Sequence, residues 1–249
     1  KAFKPYFTKA QILNPANDTD WFREVTRMGY QHQHNVSVTG GNDNTKYLVS
    51  GNFFHQDGII KNNDLSRYTG RINLEQKLGR LVTFGVNATS SRNETNNVPL
   101  GAGQNEYASL LVSATKYSPL LPVKDADGEF ALNPYITYIP NPVSLLEITN
   151  TTTKNRVLGT AFVEVKPVPE LSLKGNFGVD YNNAKHRVYL PKTTLYGKKM
   201  NGQADISQMD KNDYLFEFTA NFTKKFDRHN VNALAGYSFQ QFNKESLLC

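Results

Sequence analysis

Two histidines on one predicted strand and three acidic residues in one predicted turn come nearest to forming a chemical site. His32 and His34 are two residues apart, so in a β-strand both imidazoles lie on the same face. A zinc or copper site requires a third or fourth ligand, and none is evident in the sequence. Asp125, Asp127 and Glu129 have the spacing that begins a calcium loop, but the later ligands are missing. We therefore predict a polar strand end at the histidines, a turn at Asp125, and no metal site.

The sequence carries no catalytic or cofactor-binding motif. G-x-S-x-G, the P-loop and H-E-x-x-H do not occur. The single cysteine, Cys249, excludes an internal disulfide and a cysteine-based metal site. The net charge of +6 is scattered along the chain, whereas a nucleic-acid interface clusters its basic residues. We predict that the protein is not an enzyme, binds no cofactor and has no nucleic-acid partner.

Eight segments alternate between apolar and polar residues, which predicts β-strands with one face of each kind. They cover residues 31–39, 45–55, 65–76, 81–90, 156–165, 171–182, 214–223 and 231–242. Segments of about 10 residues have the length that a tilted strand needs to cross a bilayer. Four short turns alternate with three long connections, as in bacterial outer-membrane barrels. The predicted fold is all-β: an antiparallel transmembrane β-barrel segment of about eight strands with long extracellular loops.

The segments outside these strands contain little predicted regular structure. Residues 91–155 form the longest predicted extracellular loop, and residues 1–29 form a lead-in without strand periodicity. Within the lead-in, we predict that residues 20–25 form one helical turn, which is capped by Thr19 or Asp20. Helical spacing in the long loop predicts one short helix there. The residues that carry this spacing are Tyr107, Leu110, Leu111, Ala114 and Tyr117.

The composition suits a barrel with a watery interior. Apolar residues make up 39% of the chain and the mean hydropathy is −0.53, because only every second strand position has to be apolar. No run of about 18 apolar residues occurs, which excludes a transmembrane helix. A soluble β-sandwich has strands that alternate in the same way and stays the alternative, although long loops at one end favour the barrel.

Four charged residues are predicted to face the interior of the barrel: Arg67, Arg71, Lys174 and Glu217. They would line a polar channel or contact a plug. Pairing among charged groups on the interior face is the simpler alternative.

Several stretches of the chain together resemble one protein family. N-D-T-D-W lies within residues 14–25, and S-V-T-G-G, D-G-I-I-K and R-Y-T-G-R-I-N follow in order within residues 35–91. A looser match continues through S-P-L-L-P-V-K-D-A-D-G-E-F to N-A-L-A-G-Y-S-F-Q-Q-F near the end. This ordered set is similar to that of SusC/RagA-type TonB-dependent outer-membrane transporters.

The resemblance implies a location in the bacterial outer membrane and a role in importing oligosaccharides or peptides. It implies a barrel closed by an N-terminal plug, contact with TonB ahead of the plug, surrounding lipid, and a SusD-like surface lipoprotein that caps the extracellular mouth. We expect residues 1–249 to form part of such a barrel, with the plug domain and the remaining strands lying outside this chain.

Loop aromatics are the predicted contacts for a cargo molecule or for the lid, although packing within the loop is an equal alternative. They are Tyr107, Tyr117, Phe130, Tyr135 and Tyr138. Two other functions stay open at this point. One is a passive porin-type barrel, which would have no plug, and the other is a secreted all-β binding or adhesion module, which would need no detergent.

Overall fold

A computed structural model describes residues 5–99 and 109–249, and eight antiparallel strands dominate it. The strands are β1 Gln31–Gly41, β2 Thr45–Asp57, β3 Asp64–Leu78, β4 Val82–Asn96, β5 Thr149–Val168, β6 Leu171–Leu190, β7 Gln203–Phe226 and β8 His229–Leu248. They form one sheet in chain order, β1 to β8, so each strand pairs with its neighbours in sequence. The predicted eight-stranded all-β fold is confirmed.

Short turns close the hairpins at one end of the sheet. In the turn between β1 and β2, the Asn42 Oδ1 accepts hydrogen bonds from the backbone amides of Asn44 and Thr45, at 2.9 and 2.8 Å. Gly79, with φ of 65°, shapes the turn between β3 and β4 because it adopts a left-handed conformation without steric cost. Asp227 adopts φ of 43° in the turn between β7 and β8. These turn residues keep consecutive strands in register.

The register aligns the apolar residues of all eight strands on one face of the sheet. Directly opposed residues of antiparallel strands share a face. One such row, from β1 to β8, is Gly40, Tyr47, Leu74, Val86, Ala161, Phe177, Phe216 and Phe239. A row on the other face is Asn35, Asn52, Thr69, Ser91, Arg156, Asn182, Lys211 and Lys244. The sheet therefore has a continuous apolar face and a polar face.

The apolar face is not covered by a second layer. Phe177, Phe216 and Phe218 are 49, 44 and 41% exposed. In β7 these exposed outward positions alternate with half-buried positions on the polar side, as in a sheet that curls with its polar face concave. Among the described residues, no buried hydrophobic side chain lies in a strand. A β-sandwich, whose core lies between two sheets, is thereby excluded.

The apolar band has the height of a membrane. In β6, outward positions from Leu171 to Tyr181 are apolar or glycine, and the next outward residues are Asn183, Lys185 and Arg187. Ten residue steps of about 3.3 Å, tilted by about 45°, give a band roughly 23 Å tall, close to the ~25 Å of outer-membrane barrels. The strands therefore continue beyond the band at the end where the long loops lie.

This continuation shortens the predicted loops. β4 runs to Asn96 and β5 begins at Thr149, so the long connection covers residues 97–148 instead of 91–155. The connection after β6 shrinks to residues 191–202, because β6 and β7 both extend beyond the predicted strands. The boundaries differ because polar residues such as Asn183, Lys185 and Arg187 take the outward positions just above the band, so the apolar alternation stops before the strands end.

Short helices fill the connections. They are α1 Lys9–Leu13, α2 Trp21–Val25, α3 Leu110–Lys116, a 3₁₀ helix Val143–Glu147, and α4 Leu195–Lys199. The predicted helical turn corresponds to α2, and its cap is Asp20, whose Oδ1 accepts from the Arg23 amide at 3.1 Å. The long loop contains α3 where one short helix was predicted, together with the 3₁₀ helix. No helix in the described ranges is long and apolar enough to cross a membrane.

The hydrophobic core of the chain lies in the connections above the sheet. We call this packed body the loop unit, formed by residues 17–27, 58–63, 97–99 and 109–148. Its buried apolar side chains are Trp21, Val25, Ile60, Val98, Leu110, Ala114, Tyr117, Ile139 and Leu145. The lead-in is thus part of a packed structure at the long-loop end, which its lack of periodicity did not predict.

Candidate functional site on the polar face and the loop unit

All four charged residues predicted to face the interior lie on the polar face. Arg67 opposes Asn93, and Arg71 opposes Thr89, in the pairing of β3 with β4. Lys174 opposes Glu164 on β5, and Glu217 opposes Asn176 on β6. Their shared face follows from the register. Contact with a plug or channel water stays a prediction.

Pairing among polar groups accounts for part of this face. Arg156 donates two hydrogen bonds to the Asp180 carboxylate, at 2.8 and 2.7 Å. Lys211 pairs with Asp213 two residues along the same strand face. The Glu164 carboxylate accepts from the Ser172 hydroxyl at 2.7 Å. Several charged groups in the β5–β7 part of the polar face are therefore paired with one another.

Aromatic and aliphatic side chains interrupt the polar face at two glycines. The Phe162 ring lies over Gly85, where an added Cβ would come within 2.2 Å of the ring. Lys174 lies over the same ring, with its Nζ 4.4 Å from the ring centroid. Leu215 covers Gly178 in a similar way. The concave wall is therefore packed close to its backbone at these points.

Tyr117 does not belong to an accessible binding surface. It is 3% exposed, and its hydroxyl donates to the Ala131 carbonyl at 2.6 Å. Its ring meets Trp21 edge-to-face, with centroids 4.9 Å apart, and the Trp21 Nε1 donates to the Ser118 carbonyl at 3.0 Å. Burial raises the pKa of the Tyr117 phenol well above its ordinary value. The prediction of a ligand contact was wrong for Tyr117, because its helical spacing serves the core.

Two other predicted loop aromatics are accessible. Tyr135 and Tyr138 are 42 and 52% exposed. The Tyr135 ring lies 4.9 Å from Tyr6 and 5.2 Å from Phe7 between centroids, so the lead-in extends this aromatic surface. The lead-in aromatics were missed because nothing in the sequence brings residues 6 and 135 together.

Phe130 is half-buried beside Lys124, whose Nζ lies 5.5 Å from the ring centroid. Tyr107 lies outside the described residues. A ligand or lid contact stays a prediction for Phe130 as it does for Tyr135 and Tyr138.

The acidic turn satisfies its own hydrogen bonds. The Asp125 Oδ1 accepts from the backbone amides of Asp127 and Glu129, each at 3.0 Å, and Gly128 has φ of 80°. The predicted turn is confirmed. At the histidine pair, for which a polar strand end was predicted, His32 opposes His55 across β1 and β2, with ring centroids 5.3 Å apart. The described residues contain no cluster of three or more His, Cys, Asp or Glu side chains arranged to hold a metal.

The arrangement can exclude lipid on one side and present hydrogen-bonding and charged groups to water on the other. Its loop unit adds an exposed aromatic surface at one end. This is the geometry of a membrane wall with an exposed aromatic surface at one end.

Curated relatives match nearly the whole chain. TonB-dependent receptor P3 of Formosa agariphila is 28% identical over 246 residues, which cover 98% of this chain and 24% of the relative. TonB-dependent receptor SusC of Bacteroides thetaiotaomicron is 22% identical over 250 residues, covering 93% of this chain and 25% of the relative. The chain thus spans about a quarter of the length of these relatives. No protein-family model matches the sequence.

Solved structures share the fold. The RagAB peptide importer in its closed-closed state matches 94% of this chain and 27% of its own, with a TM-score of 0.71 and 19% identity. The predicted resemblance to SusC/RagA-type TonB-dependent receptors is confirmed, as is the predicted outer-membrane location. The relatives are named as receptors and importers, in agreement with the prediction that the chain is not an enzyme.

Proposed function

We propose that this chain forms eight consecutive wall strands of an outer-membrane TonB-dependent importer. The observation that carries the proposal is the register, which brings the apolar residues of eight strands onto one exposed face about as tall as a bilayer core. The polar face lines the interior and meets the plug or the passing cargo. The similarity to TonB-dependent receptors along nearly the whole chain supports the same role.

The cargo is an oligosaccharide or a peptide, and a SusD-like surface lipoprotein closes the mouth. Support comes from the likeness to SusC and to a structure described as a peptide importer. The loop unit lies at the mouth, where its exposed aromatic side chains contact the cargo or the lid. Phe130, Tyr135 and Tyr138 are the residues that we assign to this contact.

Uptake by cells that express the intact protein tests the proposal. We expect labelled oligosaccharide or peptide to accumulate only when TonB is present and the inner membrane is energised. A passive porin would give the same uptake in a TonB deletion, which would contradict the proposal. The lipoprotein partner is tested separately by its co-purification with the intact protein from solubilised outer membranes.

A further inference from the structure

The charges of the polar face are not all matched. Arg156, Lys166 and Lys211 each have a carboxylate partner. Within the described part of the chain, Arg67 and Lys154 form no ion pair. Arg67 and Lys154, like Arg71 and Lys174, therefore keep charges that no described carboxylate pairs within 4 Å.

Arg67 and Lys154 lie in one row across three strands. Arg67 on β3 opposes Asn93 on β4, which opposes Lys154 on β5. Their backbones are about 10 Å apart, because adjacent strands are spaced by ~4.8 Å. Both side chains are long enough to reach one small group between them.

The row is also prepared for a ligand. The Arg67 guanidinium lies 5.2 Å from the centroid of the Phe54 ring, which opposes it on β2 and limits its orientations. The Asn93 Oδ1 between the two cations is buried without a hydrogen-bond partner among the described residues. Arg67 and Lys154 thus flank Asn93 and bring two positive charges to one point on the wall.

A cavity of about 310 Å³ opens at this point. Besides the three residues of the row, two threonines, a second asparagine and Leu65 line it, and none of its lining residues is acidic. It lies near the long-loop end of the sheet, because its lining includes Thr95 at the end of β4 and Asn97 just after it. A molecule that entered from the mouth would meet this cavity early.

We propose that this cavity binds a carboxylate group of the cargo, from an acidic peptide or from a uronic-acid saccharide. The inference rests on the proposed function, since it requires the polar face to line the interior. A planar carboxylate accepts two hydrogen bonds from the Arg67 guanidinium. The positive charge of the Lys154 ammonium on the other side attracts the same carboxylate. A neutral cargo gains neither the charge-assisted hydrogen bonds nor the attraction to the ammonium.

Binding to the purified intact protein in detergent tests the proposal. The probes are tetraglutamate against tetraglutamine, and trigalacturonate against its methyl ester, measured by equilibrium dialysis. We expect one acidic probe to bind more tightly than its neutral counterpart. Arg67→Gln and Lys154→Gln should each weaken that binding by about fivefold or more, with a smaller effect at high salt.

The matched control is Arg92→Gln. Arg92 lies one position away from Asn93 on β4, faces the apolar side, and pairs with Glu94. The substitution removes one positive charge at the same height on the sheet as Asn93. We expect it to leave binding of the acidic probe unchanged. Equal binding of acidic and neutral probes, or an equal loss in Arg92→Gln, would overturn the proposal.

The remaining outcomes are distinct. Selective binding of tetraglutamate assigns the site to acidic peptides, and selective binding of trigalacturonate assigns it to uronic acids. If a carboxylate of the plug occupied the cavity, the two variants would leave probe binding unchanged, and the proposal would fail. Uptake that does not depend on TonB would contradict the proposed function but would not change the dialysis result.

Discussion

At the scale of single residues, close packing on the concave face depends on Gly85. Its missing side chain leaves room for the Phe162 ring, which Lys174 covers from the other side. The Gly85–Phe162 contact is not visible in the sequence, because it joins β4 to β5 across the longest loop. A glycine in a strand indicates a close approach only in general terms.

Gly85→Ala should destabilise the intact protein by roughly 1–3 kcal/mol, because the new Cβ displaces a packed aromatic ring. Urea unfolding followed by circular dichroism measures this change. Gly51→Ala is the control, since a Cβ there meets no atom within 4 Å. Equal unfolding midpoints for the two variants would contradict the packing described here.

A second residue-scale prediction concerns pH. Burial raises the pKa of Tyr117 above its ordinary value of about 10, so the folded loop unit keeps the phenol neutral while the unfolded segment ionises. The stabilisation is complete below pH ~10 and is lost as the pH rises above that value. Limited proteolysis of the loop unit between pH 8 and pH 11.5 measures the loss.

Tyr117→Phe provides the comparison for this pH dependence. It removes the hydrogen bond to the Ala131 carbonyl, which costs about 1 kcal/mol at neutral pH. It also removes the ionisable group, so its proteolysis rate should rise less steeply with pH than that of the wild type. Identical pH profiles would show that the Tyr117 phenol is not buried in the folded protein.

At the scale of elements, strand existence could be predicted from the sequence and strand ends could not. The apolar alternation of β6 marked its membrane segment from Leu171 onward. Directly above Tyr181 the outward positions are Asn183, Lys185 and Arg187, so the apolar alternation stops while backbone pairing continues to Leu190. Backbone hydrogen bonds continue a strand wherever a neighbour is present, whatever the side chains.

The loop unit was the element that sequence analysis described least well. Its core joins segments far apart in the chain, such as Trp21 and Tyr117. The predicted short helix in the long loop was identified by the spacing that places Leu110 and Ala114 in this core. The partners of that helix, in the lead-in and in residues 58–63, have no periodicity that would reveal them.

Trp21→Ala should loosen the loop unit without dissolving the sheet. The substitution removes a 3%-exposed indole, and such truncations cost roughly 3–5 kcal/mol. We expect faster proteolytic cleavage within residues 109–148, with unchanged heat-modifiable migration of the barrel on gels. Phe22→Ala, at a side chain 46% exposed, should have little effect. Cleavage at the wild-type rate in Trp21→Ala would contradict the packing of the lead-in against the core of the loop unit.

At the scale of the whole molecule, the role of the chain depends on which solvent each face of the sheet meets. The eight strands form a continuous ladder from β1 to β8, and their apolar rows are left exposed. Backbone groups in a hydrocarbon environment must all be paired, so such a sheet spans a membrane only as part of a closed barrel. The strand ladder could be predicted from the sequence, because the register is specified wherever one face has to be apolar. The family resemblance could be predicted from the ordered motifs.

Spin labels on neighbouring residues test this claim most directly. In a Cys249→Ser background of the intact protein in lipid vesicles, Phe216→Cys and Glu217→Cys place labels at one depth on opposite faces of β7. We predict that oxygen dissolved in lipid relaxes the label at position 216, and that a water-soluble nickel complex relaxes the label at position 217. Equal access of the nickel complex to both labels would contradict a lipid-facing apolar wall.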